Sequence, residues 1–515
     1  MVEISLQQAA LAGLALAGGV TVYSHIKSRA RSGGRPLPPG PPRAPLVGNL
    51  LQFPSEYLGT YFRKLCEEYG GLVSLSLPGT DILDKRGAKF SARPVIPYVF
   101  TDVDPDGAYW AWRDQNAKHH VARKLTAGLM SGIRAGETEA VQQFEALISM
   151  THLLEDGGKN WSRHLDRAGA SMIFTVAFGS HCPTGEERDF KDLLKSLEML
   201  VNLLNPAASI TNILPFLDWL PGPMPWRKRA EAYRKYEDDM YNRLFENALT
   251  GKGAGMNTWT AAFAEDKPEG DQRQLMKNFT LAAVETSTST MQIFVLAYLL
   301  YPDWIARARK EIDSVVGPNR LPTFKDRPRL PFVDALVRET LRWRPAARFG
   351  LPHYSTEDDI VEHKGKEYFI PKGSIVFGVT WAIEHDKNKY ENPDEFRPER
   401  FLDADGQLKA GYETSAFGFG RRICPGVPFA ERTLWISIAM IMWSFDIHKT
   451  VDPTTGLPFE YDGSDGGFSK EVSSAPLKFP AVFVPRSEHH AEVIRQEWDG
   501  CEKDLNVLLP QRKDR

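Results

Sequence analysis

Ten residues near the C-terminal end, Phe417-Gly418-Phe419-Gly420-Arg421-Arg422-Ile423-Cys424-Pro425-Gly426, constrain this chain more than any other stretch. One cysteine sits in a loop dense in glycine and arginine, and the apolar run from Val427 onward predicts a helix, so a thiolate can be held rigidly beside two cationic side chains. That is an environment for a metal ligand. Glycines at 418, 420 and 426 let the backbone turn tightly and bring peptide N–H groups toward the sulfur. A buried structural thiol is the alternative, and it needs no flanking arginines.

With 515 residues, 42% hydrophobic and 11% aromatic, the chain can bury a large core in one big domain or two smaller ones. Lys+Arg 63 against Asp+Glu 66 leaves a net charge of −3, so bulk charge points to no nucleic-acid partner. Cys66, Cys182, Cys424 and Cys501 lie far apart with no C-x-x-C spacing. This argues against zinc sites and a disulfide framework and fits a reducing compartment.

Ala9 to Tyr23 reads AALAGLALAGGVTVY, uncharged and mostly apolar, and Lys27, Arg29, Arg31 and Arg35 follow it. Fifteen residues is short against the roughly 20 that span a bilayer, but Leu6 and Ile26 extend the run. The basic flank would stay cytoplasmic, which predicts a single-pass signal anchor over residues 1–26 with the remaining chain in the cytosol. The competing reading is a cleaved secretory signal. Against it, the basic cluster follows the apolar run and the residues before that run hold no lysine or arginine.

Residues 27–45 form a basic and proline-rich hinge whose Pro36-Leu37-Pro38-Pro39-Gly40-Pro41-Pro42 is a stiff extended spacer. Apolar spacing predicts helices over Val141 to Leu153, Arg163 to Phe178, Arg229 to Leu249, Leu275 to Leu300 and Trp304 to Val316. Short strand-like runs occur at Leu72 to Leu77, Ile370 to Thr380 and Leu477 to Val484, so the class is mainly α with small β-sheets. No repeat or break divides 46–487, which reads as a single large domain followed by a polar C-terminal tail over 488–515. Leu214 to Trp226 is apolar and broken by prolines, either a substrate-access or membrane-facing segment or a loop packed on the core.

The pattern F-x-x-G-x-R-x-C-x-G is filled at every position by Phe417, Gly420, Arg422, Cys424 and Gly426. It resembles the haem-binding loop of the cytochrome P-450 family, and the likeness extends from about residue 36 to 485. The resemblance implies the cytochrome P-450 fold, with Cys424 as the axial ligand to the iron of haem b. An axial thiolate donates electron density and favours O–O cleavage. Arg422 would face a haem propionate, which suits a guanidinium. The helix that carries W-x-x-x-R in the family aligns on Arg123, with His119 at the tryptophan position and Trp110 and Trp112 out of register. Arg123, His119 and, after Leu351-Pro352, His353 are the further propionate candidates. A second departure follows Ser74 to Gly79, where relatives insert another strand and turn. This is either a feature of the lineage or a misread gene.

Glu339-Thr340-Leu341-Arg342 puts an acid and a base on one helix face, and Arg400 lies in Pro398-Glu399-Arg400-Phe401 before the cysteine loop. In the resemblance Glu339, Arg342 and Arg400 form a buried triad that locks the core. Ala282-Ala283-Val284-Glu285-Thr286-Ser287 matches the family's [AG]-G-x-[DE]-T-[ST], with Ala283 where glycine is usual. There the helix would be locally distorted, Thr286 would hydrogen-bond dioxygen or a water, and Glu285 would connect that water to solvent. Arg348, in a loop expected beside the substrate, is a candidate partner for a substrate carboxylate or phenolate.

The implied activity is that of filamentous-fungal microsomal members acting in secondary metabolism: a haem-thiolate monooxygenase on the endoplasmic reticulum membrane that inserts one atom of O2 into a lipophilic small molecule. The chain carries no glycine-rich flavin or nicotinamide module, so electrons would come from NADPH through a separate cytochrome P-450 reductase. Lys118, Arg123, Lys124 and Arg421 could form a docking face for that acidic partner. The alternatives are a haem-thiolate isomerase, dehydratase or peroxygenase, none of which needs Glu285 and Thr286, and a haem-binding paralogue without turnover.

Overall fold

The computed structural model describes residues 30–42 and 58–509, except 71–72, 74–82, 84–85, 95–97, 106, 108, 110, 116, 135, 205–210, 212–214, 267–271, 413, 453 and 471–472. The anchor predicted over 1–26 and most of the strand predicted at Leu72 to Leu77 lie outside the described residues. Among the described residues no helix is long and apolar enough to cross a membrane. The chain divides into two compact units where its sequence shows no break. The smaller one is assembled from three separated stretches, the chain up to Pro94, Phe349–Ile383 and Gly418–Arg422, so no linker marks its edge.

In the smaller unit, helix α1 (Leu58–Tyr69) buries Phe62 and Leu65 with Val73 and Val379. Strand β1 (His353–Tyr354) pairs antiparallel with β4 (Ile375–Val376), and β2 (Asp359–His363) pairs with β3 (Lys366–Ile370) from Asp359↔Ile370 to His363↔Lys366. Lys364 and Gly365, at φ 51° and 73°, make the two-residue turn of that hairpin, whose hand matches strand twist. Leu83, Phe90, Val361, Ile370, Val376 and Phe419 form its second core. The proline spacer reaches this unit, where the Pro36 carbonyl accepts from Phe369 N–H at 2.9 Å.

The larger unit is helical. Its main elements are α2 (Ala117–Arg134), α3 (Glu139–Asp156), α4 (Trp161–Phe178), α5 (Arg188–Leu204), α6 (Pro225–Thr250), α7 (Trp259–Asp266), α8 (Gln272–Leu300), α9 (Ile305–Val316), α10 (Pro331–Trp343), α11 (Val427–Ser444) and α12 (Glu488–Gly500). Strands β5 (Phe445–His448) and β6 (Val482–Pro485) form an antiparallel pair. Proline in the first turn starts α6, α10 and α11, where a missing N–H costs nothing. Helix α11 buries every residue from Thr433 to Ser444, and Trp435 and Trp443 are fully inaccessible. Such a helix, apolar on all sides, belongs at the centre of a core. Helix α8 packs along α4, and α3 packs against both α4 and α11.

Part of the segment read as a polar tail is helix α12. It buries Ala491, Val493 and Ile494, and Trp498 stacks on Phe144 with ring centroids 6.1 Å apart. Its apolar residues are spaced for a helix but diluted by charge, which hides them in composition. Of Leu214 to Trp226, the described residues form a short 3-10 turn, Pro215–Trp219, and lead into the start of α6, with Trp219 86% exposed.

Candidate active site

In the larger unit, Cys424 sits just before Gly426, the residue that caps the N-terminus of α11. Its N–H donates to Phe417 O at 2.8 Å, which closes the loop, and Arg123 Nη1 donates to Ile423 O at 2.7 Å. Phe417 packs against the main core and so anchors the loop's start. The thiol is solvent-accessible, yet it is set among dense protein. That surrounding protein pushes its pKa up, while the Gly426 N–H and the Arg123 charge pull it down. A Cβ at Gly426 would stand 3.7 Å from the sulfur, in ordinary van der Waals contact with it. Burial lowers the Arg123 pKa, and Cys424 opposes that shift. His119, one turn before Arg123 on α2, is 2% exposed, with its ring edge-on to His120 at 5.8 Å.

Helix α8 carries Glu285, partly buried, and Thr286, exposed. The local distortion expected here is not a break, because α8 runs unbroken from Gln272 to Leu300. Thr286 Oγ1 donates to Ala282 O at 2.9 Å, sharing the helical acceptor instead of displacing it.

Glu339, Arg342 and Arg400 are brought together. Arg342 on α10 grips Glu339 with Nε and Nη2 at 2.6 and 2.9 Å, and Arg400 Nε donates to Glu339 Oε1 at 3.1 Å. Arg342 also donates to the carbonyls of Glu384, Pro393 and Glu395, at 2.9, 2.8 and 3.0 Å. Glu339 and Arg342 are both 0% exposed. Burial and the charge of Arg342 lower the Arg400 pKa, with Glu339 opposing.

Arg348 has a different setting from the one predicted. It is 6% exposed, lies over the Phe468 ring at 4.6 Å, and has Nη1 3.8 Å from Asp465 Oδ1. These partners hold the guanidinium within the larger unit, between an aromatic face and a carboxylate.

The smaller unit holds the other predicted residues. Gly418 and Gly420, at φ 79° and 51°, take left-handed turns that a side chain would strain. Those turns aim Arg422 inward, where it is 9% exposed and donates from Nε to Ser91 O at 2.7 Å. His353, 4% exposed, bonds through Nδ1 to Phe90 O at 2.7 Å. Arg93, which sequence reasoning missed, completes the cluster at 6% exposure and donates to Pro352 O at 2.7 Å. Burial and then the Arg422 charge push the Arg93 pKa down to about 9. Burial, Arg93 and Arg422 together push His353 down to about 3. An arginine before a proline carries no sequence signal of its own, and only the fold sets it beside Arg422.

Each unit by itself carries donors that suit a part of haem: in the larger, a cysteine at a helix N-terminus suits iron, and in the smaller, buried guanidiniums suit carboxylates. Among the described residues there is no alternative cluster of His, Cys, Asp and Glu able to hold a metal.

Residues 38–471 match the cytochrome P-450 family profile. Among similar proteins, cytochrome P-450 monooxygenase 69 of Postia placenta is 31% identical over 99% of both chains. A cytochrome P-450 monooxygenase of Armillaria gallica is 34% identical over 94% of this chain and 97% of its own. Cytochrome P-450 monooxygenase drtD of Aspergillus calidoustus is 30% identical over 92% and 90%. With a cysteine loop of this geometry and likeness along nearly its whole length, the chain belongs to the cytochrome P-450 family.

Proposed function

We propose that this cytochrome P-450 monooxygenase inserts one oxygen atom into a lipophilic small molecule of fungal secondary metabolism. The observation that carries the reading is Cys424, poised at the N-terminus of α11 with Arg123 fastened to the carbonyl before it. Haem b, when bound through Cys424, would supply the reduction of O2 and the oxidising equivalent. Arg422 and Arg93 are suited to holding carboxylates, while neutral His353 spends its Nδ1–H on the Phe90 carbonyl and so fixes its ring beside them. Phe417 and Gly426 shape the sulfur's surroundings, and Gly420 sets the turn into Arg422. Thr286 would hold a proton-bearing oxygen at Oγ1, and Glu285 would exchange protons with it. That pair favours O2 activation over the isomerase, dehydratase or peroxygenase alternatives, which consume no protons at this step.

Glu339, Arg342 and Arg400 hold the fold and take no part in chemistry. Electrons would come from NADPH through a separate cytochrome P-450 reductase, and residues 1–26 would anchor the enzyme in the endoplasmic reticulum membrane with its catalytic part in the cytosol. The test is the carbon monoxide spectrum of the reduced protein. A long-wavelength Soret band in the wild type, lost in Cys424→Ser, is expected, together with NADPH consumption on adding reductase. A Cys424→Ser protein that keeps both would overturn the reading.

A further inference from the structure

Glu384 is wholly buried, and its carboxyl oxygens receive hydrogen bonds from two sides. On one side Oε1 accepts from the backbone N–H of Ser415 at 2.7 Å and from Ser415 Oγ at 2.8 Å. Thr414 Oγ1 also donates to Oε1, at 3.4 Å, and accepts from Ala416 N–H at 3.1 Å. On the other side Oε2 accepts from the hydroxyl of buried Tyr390 at 3.0 Å. A buried carboxyl group is costly unless donors surround it, and an apolar side chain would fill the same space without that cost. Packing alone therefore does not account for a glutamate here.

The group that Glu384 holds points to a role. Ser415 opens the 3-10 turn Ser415–Phe417, and the carbonyl of Phe417 accepts the Cys424 N–H at 2.8 Å. The Phe417 side chain rests on the core, but the direction of its carbonyl is set by the backbone of that turn. An oxygen that takes both the N–H and the hydroxyl of one residue fixes that residue's place and its rotation, so the turn starts in one orientation. Glu384 is fixed in its turn, because its backbone carbonyl accepts from Arg342 Nη1 at 2.9 Å. The buried triad and the cysteine are thus joined through Glu384, Ser415 and Phe417, all within the larger unit.

We propose that Glu384 is a positioning residue that sets where the Cys424 sulfur stands, an inference that rests on the reading of Cys424 as the iron ligand. A ligating atom must be held to within about 0.5 Å of its working place, and a loop rich in glycine cannot supply that rigidity by itself. The brace comes from outside the loop, as the bonds from Ser415 to Glu384. Glu384 acts on the sulfur through Ser415 and Phe417 and takes no proton or electron in the reaction.

The test compares wild type, Glu384→Ala, Glu384→Gln, Ser415→Ala and Tyr390→Phe as full-length, haem-loaded proteins. Each is reduced under carbon monoxide, the share of the short-wavelength Soret band of haem without a thiolate is measured against the long-wavelength band, and the urea midpoint is recorded. Glu384→Ala is expected to raise the short-wavelength share about fivefold, and Ser415→Ala, which gives up one of the two bonds, about twofold. Glu384→Gln keeps an oxygen for Ser415 and should restore the wild-type share. Tyr390→Phe removes the bond on the far side, so it should lower the urea midpoint and leave the share unchanged. A wild-type share in Glu384→Ala overturns the proposal. If Glu384→Ala does not load haem, Ser415→Ala decides, and a wild-type share there overturns it. An equal rise in Tyr390→Phe also overturns it, because any loss of stability would then loosen the thiolate. A wild type with no long-wavelength band overturns the ligand assignment itself, and the positioning role with it.

Discussion

Two buried arginine clusters handle the same charge in opposite ways. In the larger unit, Arg342 and Arg400 close on Glu339, so the positive groups meet a carboxylate and a ring of carbonyls. In the smaller unit, Arg93 and Arg422 share a setting with His353, and the charge effects acting on His353 come from like charges. The first arrangement is complete without a ligand and holds the fold. The second keeps cationic groups under mutual repulsion, a cost that a bound dianion would offset. Burial of an arginine is therefore no guide to its role, whereas the sign of its neighbours is.

The contrast breaks most visibly at Glu339. Glu339→Gln leaves two guanidiniums buried against a neutral amide, and the expected loss is about 3–5 kcal/mol, read as a lower urea midpoint. Acid probes the other cluster. His353 takes a proton near pH 6.5 in the unfolded chain but only near pH 3 in the folded one. Between those values the unfolded state binds more protons, so stability present above pH 6.5 falls as pH falls toward 3, with a limiting slope of about 1.4 kcal/mol per pH unit. His353→Gln should flatten the urea midpoint against pH in that window, and an unchanged slope would discount the shift.

Arg348→Leu is expected to cost about 1–2 kcal/mol through the lost Phe468 and Asp465 contacts, with substrate affinity unmoved. A raised KM at unchanged stability would instead place Arg348 at the substrate. The smallest stability effect should belong to Arg93→Met, within about 0.5 kcal/mol of wild type in the haem-free protein because repulsion is relieved. The same change should speed haem loss, measured by transfer to apomyoglobin. If Arg93→Met destabilises as much as Glu339→Gln, the two clusters do not differ in kind.

Legibility followed how local each feature is. Cys424, Arg422 and the flanking Gly418, Gly420 and Gly426 belong to one short stretch, so their spacing alone singled them out as candidates. Glu339 and Arg342 lie three apart on a helix, which made their pairing readable, and the long buried helices were found within a few residues of their ends. Arg93 was invisible because its meaning depends on Arg422 and His353, hundreds of positions away. The partners of Arg348 were illegible because Asp465 and Phe468 reach it from a later loop.

Short-range periodicity and one dense decade of residues thus determined the helical class, the candidate ligand cysteine and the family, since each is written in the chemistry of neighbours along the chain. Tertiary structure decided which buried charges are paired, which glycines admit close contact, and that Gln292 meets Asp166 across two helices. Those outcomes depend on distances between residues far apart in the chain, and only packing of the folded core sets such distances.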